Sequence, residues 1–207
     1  MSQDNTVFEP LQVLTAQAVY LPGANMDTDQ IIPGRFLKKD RAKGYGQFLF
    51  FDARFDEQEA PVTDHPLNTS NKPQILLVDE NFGCGSSREG AVYAMADYGI
   101  RVVIGTSFGD IFFNNCFKNG VLTIRLSFDD HQTLRQRLLH CPSLTVDLPK
   151  QSIVCDGSEL PFEIDPFSKT CLVRGVDELA LTLSHEADIT RFEQSYQQRY
   201  PWLVPTR

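Results

Sequence analysis

Asn81-Phe82-Gly83-Cys84-Gly85-Ser86-Ser87-Arg88-Glu89-Gly90 lies between an apolar run, Ile75–Val78, and a helix-like segment, 91–98. Strand, glycine-bearing turn, then helix is the order that turns backbone N–H groups toward an anion. Two glycines let the backbone come close to a ligand, and two hydroxyls and a guanidinium follow at once. As a nucleotide motif the stretch fails. The third glycine of a dinucleotide fingerprint would fall at Arg88, and no Gly-Lys-Ser/Thr follows for a phosphate loop. Ser87-Arg88 at the helix start points to a carboxylate or phosphate, because Arg presents a planar two-pronged donor.

Working outward, the chain alternates. The helix over 88–98 closes at Gly99, a strand runs over Val102–Gly105, a helix over 109–118 ends at Asn119-Gly120, and a strand follows at 121–126. This β-α-β-α-β order implies a parallel sheet with right-handed crossovers, its short apolar strands covered on both faces. Next come a helix over 127–140 with Asp129 and Asp130 in its first turn, a hairpin of 144–148 and 152–155, and a strand over 160–164 after Asp156-Gly157. Three helical segments, 166–173, 177–183 and 186–199, finish the chain. On the N-terminal side, 11–21 reads as a strand, and the Asp/Asn/Thr cluster of 25–30 as a side-chain-capped turn. The basic, glycine-bearing stretch 38–46 reads as a mobile loop, and 52–73, with Pro61, Pro66 and Pro73, as an irregular connector. The fold expected is a single α/β domain over 1–207, a parallel-rich central sheet flanked by helices, with a small antiparallel addition.

A formal charge of −8 over 207 residues excludes the clustered positive field of a nucleic-acid binder. No run approaches the ~20 apolar residues of a membrane helix, and residues 1–10 carry neither the basic nor the apolar region of a secretory leader. The cysteines at 84, 116, 141, 155 and 171 match no zinc or CxxC spacing, and an odd count fits a reduced cytoplasm. No metal ligand set is assigned to the chain.

Ser86 reads either as a helix N-cap or as a nucleophile or base. No histidine adjoins it; His65, His131, His140 and His185 lie in surface-like or helical contexts. A serine base needs its alkoxide stabilised at about 1.4 kcal/mol per pKa unit, and a helix N-terminus supplies at most ~2 kcal/mol. The loop alone therefore cannot make Ser86 a strong base. Asp27 and Asp29 read as an Asx-turn or as half a cation site. Cys84, between two glycines, has no partner cysteine close in sequence.

The stretch from Asn81 to Glu89 resembles the signature of the swivelling domain of the aconitase superfamily. Asn25-Met26-Asp27-Thr28-Asp29-Gln30-Ile31-Ile32-Pro33 resembles the companion motif near that domain's start, and Phe108 to Asn115 a third. In length the chain is similar to the stand-alone small subunits of the 3-isopropylmalate dehydratase family. The resemblance implies a swivelling β/β/α fold and a hydro-lyase that isomerises a small 2-hydroxy diacid through an alkene. It also implies a large-subunit partner bearing a [4Fe-4S] cluster that holds substrate hydroxyl and carboxylate. By position it makes Ser86 the proton-abstracting base and Asp29 the active-site aspartate. Gly85, Ser87 and Arg88 would bind a substrate carboxylate, and the loop from Arg35 to Gly46 would face the variable substituent. Many relatives carry His where this chain has Gly90. Isopropylmalate is the first substrate expected; citramalate, 2,3-dimethylmalate or homoaconitate-type acids, or a non-catalytic anion-binding module, are the alternatives.

Overall fold

The computed structural model describes residues 6–203; residues 1–5, on which half of the leader reading falls, lie outside the described residues. In chain order the elements are β1 (Val13–Leu21), α1 (Thr28–Ile31), α2 (Phe51–Arg54), α3 (Pro66–Thr69), β2 (Ile75–Val78), α4 (Glu89–Tyr98), β3 (Val102–Gly105), α5 (Asp110–Lys118), β4 (Leu122–Arg125) and α6 (Phe128–Leu138). There follow β5 (Ser143–Asp147), β6 (Ser152–Cys155), β7 (Ser158–Pro161), α7 (Pro166–Arg174), α8 (Glu178–Leu183) and α9 (Glu186–Arg199). Among the described residues no helix is long and apolar enough to cross a membrane.

Among the described residues seven strands join one sheet in the order β4-β3-β2-β1-β5-β6-β7. β1 divides it. Its residues 18–21 pair parallel with β2, and its residues 13–17 pair antiparallel with β5. β2, β3 and β4 continue in parallel on one side, and β5, β6 and β7 antiparallel on the other. The antiparallel addition is thus half of the main sheet rather than an appendage. The connections β2-α4-β3 and β3-α5-β4 step the same way along the sheet, so the right-handed rule places both helices on one face.

Side-chain alternation sorts the core. Leu76, Val78 and Val103 pack with Ala91, Met95, Phe112 and Cys116 of α4 and α5, and Ile75, Leu77, Ile104 and Ile124 pack with Leu134 of α6 and Leu172 of α7 on the opposite face. β2 and β3 are buried throughout, as strands covered on both faces must be. Gly99 closes α4 in the left-handed conformation.

Three expectations shift. The connector 52–73 includes two helical turns, α2 and α3, the second capped by His65 and started by Pro66. The basic stretch 38–46 is tied down: the Tyr45 N–H donates to Asp97 at 2.6 Å, Arg41 pairs with the same carboxylate at 2.5 Å, and Tyr45 is buried. The third antiparallel strand begins at Ser158, because the tight turn at Asp156-Gly157, both at positive φ, sets Ser158 opposite Cys155.

Candidate active site

The stretch 79–88 leaves the C-terminal end of β2 and is laced to two neighbours. Toward the companion motif, the Gly83 N–H donates to the Met26 carbonyl at 2.7 Å, the Thr28 N–H to Cys84 at 3.1 Å, and Thr28 Oγ1 to the Ser86 carbonyl at 2.9 Å. Asn25 and Asn81, both in the left-handed conformation that Asn tolerates, share a side-chain hydrogen bond of 2.7 Å. Toward the third motif, the Gly109 N–H donates to the Phe82 carbonyl at 2.9 Å, and Ser107 Oγ accepts from the Asn81 N–H at 2.8 Å. Glycine is required at 83. Its φ is +71°, and a Cβ there would stand 2.2 Å from the Phe112 ring.

These ties form a cleft of about 260 Å³ lined by Thr28, residues 83–88 and residues 109–112. Ser86 and Ser87 are exposed, and neither hydroxyl has a hydrogen-bond partner among the described residues. The N-cap of α4 is Arg88, two residues beyond Ser86, so the capping role considered for Ser86 does not hold. The first turn of α5 lines the same cleft, so two helix N-termini with their positive dipole ends meet there.

Arg88 donates to Asp29 of α1, its one partner among the described residues; the two side chains are 25% and 54% exposed. A pair so open to water is worth at most ~1 kcal/mol, so an incoming carboxylate can replace Asp29. Asp27 is absorbed by structure. It caps α1, accepting from the Gln30 N–H while Gln30 returns a bond to the Asp27 N–H.

Arg35 stands apart from the cleft lining. Its guanidinium pairs with Asp52, lies 4.5 Å from the Phe36 ring centre, and through its hydrogen bond holds the Asp52 carboxyl below the usual carboxylate range. At Gly90, a Cβ would stand 2.4 Å from Leu37 Cδ2: Leu37 fills the space that a side chain at 90 would need. His131, expected in a surface-like or helical context, lies in α6 and is buried, with its Nε2 donating to the Val78 carbonyl at 2.8 Å.

Thr28 and residues 109–112 complete the cleft and were not selected from sequence. Thr28 could have been found, since it sits between the two aspartates already singled out. Residues 109–112 belong to the third motif, but only the sheet order brings that motif beside the first.

Among the described residues no three His, Cys, Asp or Glu side chains converge as metal ligands would. Cys116 is sealed in the core, where burial pushes its thiol well up from the ordinary value, and Cys84 stands alone at the cleft. The described residues of this chain do not fit an iron–sulfur cluster.

Residues 9–129 match the family model of the aconitase C-terminal domain, and residues 180–206 that of the C-terminal domain of the 3-isopropylmalate dehydratase small subunit. The 3-isopropylmalate dehydratase small subunit of Halalkalibacterium halodurans is 48% identical over 191 residues, covering 90% of this chain and 98% of that one. The chain belongs to the 3-isopropylmalate dehydratase small-subunit family. The Pelagibacter ubique small subunit is 42% identical over 192 residues, covering 92% and 95%. A crystal structure titled 3-isopropylmalate dehydratase, from Methanocaldococcus jannaschii, matches with a TM-score of 0.65 and 26% identity over 87% of this chain and 99% of that one. The small-subunit family's mixed α/β fold, expected from the motifs, is the fold described above.

Proposed function

We propose that the chain is the small subunit of a 3-isopropylmalate dehydratase, a cytoplasmic hydro-lyase of leucine biosynthesis that interconverts 2- and 3-isopropylmalate by dehydration and rehydration. It works only with a large subunit, on which a [4Fe-4S] cluster is expected. The observation that carries this reading is the cleft in which the free hydroxyls of Ser86 and Ser87 and the easily released Arg88 lie between two helix N-termini.

On this reading Arg88 exchanges Asp29 for a substrate carboxylate, with Ser87 and Gly85 completing its anchorage. Ser86 Oγ takes the proton from carbon in dehydration and returns it in rehydration. Asp29, released from Arg88, is the carboxylate that remains beside the reacting atoms. Two helix N-termini raise the stabilisation available to a Ser86 alkoxide to about 4 kcal/mol, near three pKa units, still short of what an alcohol base needs at neutral pH. The balance must come from the large subunit. Leu37, packed over Gly90 two residues from Arg88, is an apolar side chain near the cleft, outside its lining, and would favour a diacid with an alkyl substituent. Arg35, outside the cleft lining, would reach the same substituent only on leaving Asp52.

The test is the complex reconstituted from both subunits, assayed side by side on isopropylmalate, citramalate and 2,3-dimethylmalate. Isopropylmalate is expected to give the highest kcat/KM. A preference for either other acid makes the protein a sibling hydro-lyase. A Ser86→Ala complex that assembles and turns over at the normal rate removes the base assignment.

A further inference from the structure

A run of exposed apolar side chains among the described residues lies far along the chain from the cleft motifs. α9 has 14 residues, a length at which an isolated helix is marginal in water, and no residue of it is buried. It carries Ile189, Phe192 and Tyr196 at i, i+3 and i+7, one stripe of a helix. The stripe continues as a ladder of rings: Phe192 to Tyr196 at 5.7 Å, Tyr196 to Tyr200 at 5.0 Å, and Tyr200 to Trp202 at 5.7 Å between centroids. Phe192 is 64% and Trp202 73% exposed. With an aromatic side chain worth ~150–250 Å², the stripe leaves ~500 Å² of surface open, over half of the ~800 Å² that one side of a stable interface buries. A patch of that size and continuity is a contact surface.

Charge tells which partner it fits. At 100° per residue, Glu186 and Glu193 fall together on one flank of the stripe. Two copies laid antiparallel about Phe192 would bring the Glu193 flank against its own image, and parallel pairing would set Glu186 of one copy near Asp188 on the opposite flank of the other. A chain of net charge −8 adds general repulsion. The stripe therefore suits a different molecule, one with an apolar groove whose rim is cationic on the Glu186/Glu193 side. Residues 180–206, which include all of this arm, match the model of the small subunit's C-terminal domain and lie outside the match to the aconitase C-terminal domain. The part of the chain that marks it as a small subunit is the part left uncovered.

We propose that α9 and the Tyr200–Trp202 turn form the arm by which this chain grips its large subunit, laying the ring ladder into an apolar groove with a positive rim. The proposal rests on the reading that the chain works with a large subunit. It is tested by titrating the full-length chain into its cognate, cluster-loaded large subunit, following complex formation by sedimentation and turnover of isopropylmalate in parallel. Phe192→Glu combined with Tyr196→Glu should raise Kd by about 30-fold or more, and the lost turnover should return as the concentration of the variant is raised. Because α9 lies outside both cores, thermal unfolding of the variant should match that of the parent, which separates weak docking from misfolding. Glu193→Lys should also weaken the complex. An unchanged Kd in the double variant overturns the proposal. So does a parent that is dimeric alone and becomes monomeric in the double variant while its Kd for the large subunit stays put; the stripe would then belong to a second copy. If the parent fails to bind the large subunit, both the functional reading and the arm fall. Ser86→Ala addresses the functional reading alone, since it should remove turnover and leave Kd unmoved.

Discussion

One sheet holds two halves that behave differently. On one side of β1 the strands run parallel, β2 and β3 are wholly buried, and the loops at their C-terminal ends carry the cleft. On the other side β5 alternates between buried and open positions, β7 has no buried residue, and their turns contribute no residue to the cleft. Connection geometry explains the contrast. Parallel strands need crossover helices, so successive strand ends and helix starts gather at one edge, with their N–H groups facing the same space. A hairpin alternates ends and gathers nothing. Chemistry collects on the parallel half because only there does topology concentrate helix N-termini.

The comparison can be broken or sharpened by substitution. The largest effect is expected at Ser86. In the reconstituted complex Ser86→Ala should lower kcat by about 10²–10⁴ with assembly intact, measured by steady-state turnover and sedimentation. Next comes a matched pair of left-handed glycines, one in each half. Gly83→Ala forces a methyl against the Phe112 ring and should cost about 2–4 kcal/mol of stability in denaturant unfolding. Gly157→Ala, in the β6–β7 turn with nothing within 4 Å of the added carbon, should cost only about 1 kcal/mol. Equal costs would mean that the two turns are equally crowded and the contrast between halves is false. Smaller again, Arg88→Lys keeps the charge and loses the fork, and should raise KM for isopropylmalate about tenfold.

The smallest expected effect depends on pH. Burial, with Arg54 nearby, pushes His65 below the ordinary histidine value, and its Nδ1 accepts the Leu67 N–H at 3.2 Å to cap α3. That contribution is present above the unfolded value near 6.5 and is lost as pH falls through 6.5 toward the lower folded value. His65→Asn retains a capping acceptor that does not titrate. It should flatten the stability profile between about pH 7 and pH 5, measured by thermal unfolding.

Much of the parallel half was legible in the residues. Ile75–Val78 and Val102–Gly105 are bounded as expected because four apolar residues between a turn and a glycine-capped helix leave few alternatives. The antiparallel half was less so. Leu160, Phe162 and Ile164 alternate and suggested a strand over 160–164, but the left-handed turn fixed the register two residues earlier, and the ladder runs out beyond Pro161 because the Gln151 N–H, next along β6's side, turns to Leu148. Phe162 still turns inward, so the alternation correctly reported burial and not ladder. At the cleft, residue types identified Ser86, Ser87 and Arg88. The Arg88–Asp29 pair and the Thr28 clamp span 59 and 58 residues, which no local pattern encodes. The pairing of Arg35 with Asp52 was hidden for a different reason, since both are exposed charges whose partners are chosen by loop geometry.

β1 is the seam between the halves, and its position carries a consequence for how the chain is made. It is the first strand to leave the ribosome, yet its parallel partner lies at 75–78 and its antiparallel partner at 143–147. At ~5–20 residues per second, the second partner appears on the order of ten seconds after the first strand is complete. Through that interval β1 has one flank without its native neighbour, and both of its native pairings close long loops, the slow step in assembling sheets of this kind. The strand that fixes the architecture is synthesised first and finished last.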